Sequence, residues 1–161
     1  MAEKKNGIIE LYYNKLYYNK LNMKYFIFNG KTEGENKTYY KNGEIYKIYN
    51  YKNNKLEGEY KRYYQNGELS LICNNKNGKN EGEYKSYHKN GNLQEICNYK
   101  NYKKEGEYKT YHENGQLEIT CNYKNDLYNG EYKEYDRDGQ LKITRIYKDG
   151  IQISSFYIYL Y

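Results

Sequence analysis

Cys73, Cys97 and Cys121 recur every 24 residues, and His88 and His112 are separated by the same interval. Thiols and imidazoles bind zinc and run redox chemistry, so their spacing is the first feature to weigh. Glu35, Glu59, Glu83, Glu107 and Glu131 keep the same beat, as do Lys37, Lys61, Lys85, Lys109 and Lys133. Carboxylates and ammonium groups supply acids, bases and anion hooks. Residues that return this regularly serve repeated structure before they serve one reaction centre. No Gly-rich phosphate loop, nucleophile elbow or separate carboxylate pair stands outside the beat, so the sequence predicts no catalytic residue, no enzyme and no cofactor.

The beat is carried by a unit whose first residue is Gly34, Gly58, Gly82, Gly106 or Gly130. A fixed period of this size with no insertions marks a stacked repeat. Counting that Gly as position 1, Glu holds position 2, Lys position 4, Tyr position 6 and Gly position 10 in all five copies. Position 9 is Asn, except for Asp138, and position 12 is Ile45 or Leu. Residues 10–33 read as a decayed sixth copy that retains Gly30-Lys31-Thr32-Glu33.

Asn-Gly between two Tyr- and Ile-rich runs predicts a β-hairpin. Two turns compete. A two-residue type I′ turn pairs position 7 with 12 and puts Tyr at 6 and Leu at 12 on opposite faces. A three-residue loop, a type I turn closed by a left-handed Gly, pairs 6 with 12. The second is preferred, because it lets the two apolar positions kept in every copy face one another. Each unit is then one hairpin, with strands at positions 1–7 and about 11–18 and a polar connection at 19–23. The fold class is all-β: an elongated, single-layer antiparallel meander advancing ~10 Å per unit. On this reading positions 6, 12, 14 and 16 share one face, and positions 3 and 15 the other.

That geometry bears on the chemistry. Equivalent cysteines lie ~10 Å apart, beyond the ~7 Å that a disulfide tolerates, so they read as a ladder of small buried apolar residues. The histidines, at position 7, read as lying on the face opposite the thiols and ~16 Å away along the strand, too far for a zinc site. Tyr40, Tyr64 and Asp136 also occupy position 7, which reads as a solvated strand end.

Composition sets the rest. The charged fraction is 30% and no Pro or Trp is present, a balance that leans toward disorder; the 27 Tyr lean the other way. The 161-residue length fits one domain with thin burial. A net charge of +6, spread along the chain, is weak for nucleic acid, which is an unlikely partner. No apolar run suits a signal peptide or a ~20-residue membrane span, so the expected location is intracellular and cytoplasmic. Lys61, Lys85 and Lys109 are the candidate row for anionic lipid, although the Glu at position 2 offsets much of their field. Tyr60, Tyr84, Tyr108 and Tyr132 at position 3 form the candidate partner-binding row, since aromatic residues are enriched in protein interfaces. The alternating C-terminal run 151–161 reads as a last strand that caps the sheet or pairs with a second copy to form a homodimer.

The unit Gly-Glu-Tyr-Lys-x-Tyr-x-x-Asn-Gly-x-Leu, best seen at 82–98 and 106–122, resembles the variant MORN repeat. The resemblance implies stacked hairpins, with 1–33 as an N-terminal cap holding the degenerate copy, 34–153 as five repeats and 154–161 as a capping strand. It also implies a non-catalytic scaffold or protein-interaction module. Alternatives are an antitoxin-like protein that neutralises a toxin by binding, and a module for anionic membrane surfaces. Tyr-, Asn- and Lys-rich versions are similar to proteins of giant viruses, which would place the chain in host cytoplasm, and of AT-rich bacteria. Asn36 at position 3, and Tyr102 and Asp126 at position 21 where Gly is usual, depart from the pattern and predict loops of different shape.

Overall fold

The computed structural model describes residues 6–13 and 20–157. Parts of the expected N-terminal cap (1–5 and 14–19) and of the capping strand (158–161) lie outside the described residues. The chain divides into two compact units, Met1–Lys79 and Asn80–Tyr161. The first holds β1 (Gly7–Tyr13), β2 (Lys20–Phe28), β3 (Lys31–Tyr39), β4 (Ile45–Lys52), β5 (Lys55–Tyr63) and β6 (Leu69–Lys76). The second holds β7 (Lys79–Tyr87), β8 (Leu93–Lys100), β9 (Lys103–Tyr111), β10 (Leu117–Lys124), the two-residue β11 (Leu127–Tyr128), β12 (Gly130–Tyr135), β13 (Leu141–Lys148) and β14 (Ile151–Tyr157). Within each unit the strands follow chain order as an antiparallel meander, with β11 pairing only β10, and no described residue is helical. The all-β meander of tandem hairpins expected from the repeat is therefore what the chain forms.

The preferred turn is the observed one. Position 6 pairs with 12 in every copy, as in Tyr39↔Ile45, Tyr87↔Leu93 and Tyr135↔Leu141. The position-7 N–H donates to the position-11 carbonyl, and the Gly N–H at position 10 donates back to position 7, as in His112–Gln116 and Gly115–His112, both 2.9 Å. The Gly stands at φ +81° to +95°, which costs a residue without Cβ nothing. Asn at position 9 reinforces the loop: Asn90 Oδ1 accepts from Asn92 N–H at 3.0 Å.

The second connection is shorter than expected. Ladder pairs reach position 19 and resume at 22, as in Lys52↔Lys55 and Lys100↔Lys103, leaving a two-residue turn at 20–21 instead of a connection at 19–23. Both turn residues have positive φ, the type I′ signature whose twist matches the flanking strands. Tyr102 (φ 68°) and Asp126 (φ 69°) adopt it as Asn54 does (φ 64°), so the expected difference in loop shape is absent. The reason is the ladder on either side, which fixes the turn whatever residue sits there. A Tyr held left-handed is strained by roughly 1–2 kcal/mol, against roughly 0.5–1 kcal/mol of added entropy cost for Gly. Tyr102→Gly should therefore stabilise the chain by about 0.5–1 kcal/mol, read as a higher urea midpoint.

Two bulges set the faces. After 6↔12 the register skips position 13, so that 5 pairs with 14, 4 with 15 and 3 with 16, as in Arg62↔Leu71, Lys61↔Ile72 and Tyr60↔Cys73. The second bulge falls at position 1, where Gly58 (φ 83°) and its neighbours oppose a single residue between Tyr49 and Tyr51. The bulge at 13 inverts the expected faces beyond the turn. Positions 3, 5, 14, 16 and 18 share one face; positions 2, 4, 6, 12, 15 and 17 share the other. The buried residues collect on the first: Leu71 and Ile143 at position 14, Cys73, Cys97 and Cys121 at 16, Asn36 and Tyr132 at 3, Ser86 at 5 and Asn75 at 18, with Ser70 at the bulge itself.

Candidate functional site

The first face, hereafter the Tyr–Cys face, is built from a cross-strand pair repeated in copies two to four. The ring at position 3 stands opposite the thiol at position 16: Tyr60↔Cys73, Tyr84↔Cys97 and Tyr108↔Cys121. A large ring against a small side chain fills the space over the strand without crowding. The thiols are buried and unbridged, at 2% exposure for Cys97 and Cys121. Burial pushes the Cys97 thiol up to about 11 and the Cys121 thiol up to about 12, so both are neutral and poor nucleophiles near neutral pH. They act as the small apolar ladder that the spacing suggested.

A second ring at position 18 touches the first in the same copy. Tyr84 meets Tyr99 edge-on at 6.1 Å, Tyr108 meets Tyr123 at 5.3 Å, and Tyr132 meets Tyr147 at 6.1 Å. Tyr128 joins Tyr123 (4.7 Å), Tyr132 (5.7 Å) and Tyr147 (5.0 Å) into one cluster. Cations lie over these rings. Lys104 Nζ is 4.4 Å from the Tyr108 centroid, 5.3 Å from that of Tyr123 and 3.4 Å from Glu95 Oε1, while the Arg145 guanidinium lies 5.1 Å over Tyr132. Burial pushes the Tyr99 phenol up to about 12, and those of Tyr108 and Tyr123 higher still. Of the four predicted contact rings, Tyr60, Tyr84 and Tyr108 are half-buried and Tyr132 is buried. All four lie on this face, together with the thiols rather than opposite them.

Lys61, Lys85 and Lys109 lie on the other face, where each is held by the Glu two residues before it. Lys61–Glu59 and Lys85–Glu83 are 2.6 Å apart and Lys109–Glu107 is 2.8 Å apart. The hydrogen bond to that Glu raises each ammonium above its ordinary pKa. The lysine row carries its own counter-charge, copy by copy.

Position 7 is not a solvated strand end. His88 Nε2 lies 2.7 Å from Tyr111 O and His112 Nε2 3.2 Å from Tyr135 O, both carbonyls at position 6 of the following copy. A carbonyl only accepts, so Nε2 carries the proton. Tyr40 does the same work, its hydroxyl donating to Tyr63 O at 2.7 Å. Nor are the histidines opposite the thiols. His112 Nδ1 is 3.9 Å from Glu118, which accepts from Thr110, two residues from Tyr108 and on the Tyr–Cys face. The bulge at 13 accounts for this error too. Asn at position 9 adds a parallel link: Asn90 Nδ2 donates to Glu113 O and Asn114 Nδ2 to Arg137 O, both at 2.7 Å. Glu at position 24, which the sequence reading did not single out, caps the next type I′ turn, as Glu57 does for Asn77 N–H at 2.8 Å and Glu105 for Asn125 N–H at 2.9 Å. These side chains stitch copy to copy. Losing one partner of a part-buried hydrogen bond costs about 1–3 kcal/mol. His88→Phe should lower stability by that amount, whereas His88→Tyr, which restores a donor in the form copy one uses, should recover most of it; paired urea titrations check both.

No group of three or more His, Cys, Asp or Glu is placed to hold a metal among the described residues, and no described helix is long and apolar enough to cross a membrane. What the arrangement offers is a surface: fixed, partly exposed rings with cations above them on one face, and self-neutralised charge on the other. No curated protein shows similarity to the chain above threshold. Matches to the MORN repeat variant fall at residues 32–53, 56–77, 80–101, 104–125 and 128–149, in step with the hairpins just described. They cover more than half of the sequence, and the chain belongs to the MORN repeat variant family.

Proposed function

We propose that the chain is a non-catalytic protein-interaction module and that the Tyr–Cys face is the surface it presents. One observation carries this reading: Tyr84, Tyr99, Tyr108 and Tyr123 are only half-buried, yet each is held by a ring contact. Rings already fixed lose little entropy on binding and bring large contact area. The lysine face supports a membrane role less well, because exposed ion pairs leave little net field at physiological salt. Toxin neutralisation is a narrower form of the same reading; it adds a stable one-to-one complex with the product of a neighbouring gene.

Tyr108 and Lys109 are adjacent and point to opposite faces, which makes a sharp test. A photo-crosslinking residue at each site is used in the full chain, in native-host extract. Capture of a protein from site 108 and not from site 109 is expected. Capture from 109 alone, or sedimentation with phosphatidylserine vesicles that is lost when Lys61, Lys85 and Lys109 become Glu, would overturn the reading.

A further inference from the structure

The connection between the fourth and fifth repeats carries a ring where its counterparts carry none. Position 23 is Leu56, Asn80 and Lys104 at the three earlier junctions, and Tyr128 here. Tyr128 stands directly opposite Tyr123 across the two-residue turn of Asn125 (φ 53°) and Asp126 (φ 69°). The next pair outward is joined through the ladder, with Asn129 N–H donating to Asn122 O at 2.9 Å. Antiparallel pairs alternate, so Tyr123 and Tyr128 form a pair without ladder hydrogen bonds, the kind that brings side chains closest. Their ring centroids are 4.7 Å apart with the planes 32° from parallel, the shortest ring contact among the described residues.

The hydroxyl ends also meet. The Tyr123 phenol is pushed up by burial first and then by the Tyr128 hydroxyl beside it. Rings joined at that end bring together the Cε carbons flanking each hydroxyl, where a tyrosyl radical couples. Both rings are half-buried and so remain open to an oxidant. Tyr147 and Tyr132 lie 5.0 Å and 5.7 Å from Tyr128, close enough to pass it an electron vacancy. The Tyr40–Tyr46 pair makes a useful contrast. It is nearly as close, at 4.8 Å, but tilted by 48°, and the Tyr40 hydroxyl is committed to Tyr63 O at 2.7 Å.

We infer that Tyr123 and Tyr128 form an oxidative modification site, where a peroxidase-type one-electron oxidant joins the two rings through a Cε–Cε bond. Each phenol gives up one electron and one proton. The two radicals couple, and the hydrogens on the coupled carbons move to the oxygens, restoring both phenols. Hydrogen peroxide takes up the two electrons and two protons and leaves as two waters. The bond staples the turn between the repeats, where β11 is held to β10 by two residue pairs alone.

The test treats the dilute full chain with a haem peroxidase and hydrogen peroxide, then with trypsin. Lys124 lies between the two rings, so they leave on separate peptides, 110–124 and 125–133. Mass spectrometry is expected to find these joined, two hydrogens lighter than their sum, with dityrosine fluorescence. The treated chain should stay monomeric on a denaturing gel and show a higher urea midpoint. Tyr123→Phe and Tyr128→Phe should each cut the yield by about tenfold or more, the advantage of a held pair over a chance encounter. Tyr132→Phe, which removes the other tyrosine of the second peptide, should leave the yield in place. Absence of the joined peptide, its survival in Tyr128→Phe, a majority of links between chains, or equal joining of Tyr40 to Tyr46 overturns the inference.

Discussion

Raising the pH from 8 to 11 is expected to remove roughly 4–5 kcal/mol from the stability of the second unit through two thiols alone. Burial among the rings favours the neutral form and pushes Cys97 from 9.0 to about 11 and Cys121 from 9.0 to about 12. In the unfolded chain both ionise near their ordinary value. Below that value folded and unfolded chains hold the same protons, and the stability is fully present. Above it the unfolded chain releases protons that the folded chain keeps, and stability falls by ~1.4 kcal/mol per pH unit for each thiol until the folded value is reached. Two units of pH for two thiols give a ceiling of about 5.6 kcal/mol, and the gradual onset near 9.0 with the flattening of Cys97 near 11 brings it to about 5. Tyr99, pushed from 10.0 to about 12 by burial, acts in the same direction. Urea titrations followed by far-UV circular dichroism at pH 8, 9, 10 and 11 measure the slope. The double variant Cys97→Ala, Cys121→Ala should begin weaker at pH 8 and decline less. Parallel profiles for the two proteins would show that the thiols do not carry the effect.

The parts of this fold that could be read ahead are those where residue type dictates backbone shape. Gly at position 10 after Asn at 9 admits few turns, and the facing of Tyr at 6 with Leu at 12 chose between them correctly. The bulge at position 13 had no such marker. That position is occupied by Tyr46, Ser70, Gln94, Glu118 and Lys142, which share neither size nor charge. One unmarked extra residue inverted every face assignment beyond it, and so separated the thiols from the rings they pack against. The Gly at position 1 was a missed clue, because a Gly kept inside a strand signals a bulge or close backbone approach. The role of position 7 was legible in chemistry rather than polarity. Tyr and His both carry a donor at the far end of a ring, and the departure comes at Asp136, in the last copy, where Asp136 instead accepts from Gln140 N–H at 2.8 Å within its own turn. Position 9 follows the same logic, since Asp138 has no amide to donate. The differences of a final copy thus report which side chains reach forward. Asn36 was flagged as a departure, but its pairing with Tyr49, which puts the ring on the opposite strand, required the register.

Tyr132→Ala should cost about 3–5 kcal/mol, and Tyr84→Ala less than half of that, although each residue holds position 3 of its own repeat. Tyr132 is 8% exposed and sits within contact of Tyr128 and Tyr147, under the Arg145 guanidinium. Each ring pair adds about 0.5–1.5 kcal/mol beyond area burial and the cation at least ~0.5, and truncation leaves a void that the strands on either side cannot close. Tyr84 is half-buried with Tyr99 edge-on against it, and solvent can enter where its ring is removed. Tyr132→Phe keeps the ring and should cost less than about 1.5 kcal/mol. The ranking separates two jobs that the sequence assigns to one row. A residue whose loss unfolds the unit belongs to the core, and capture of a partner by its variant reports only folding. A residue whose loss leaves the midpoint nearly in place can be tested as a contact, which makes Tyr84 and Tyr108 the informative sites for binding and Tyr132 the informative site for stability. Equal losses from Tyr84→Ala and Tyr132→Ala in urea titrations would mean that the row is structural throughout, and the interaction surface would then have to be sought elsewhere on the chain.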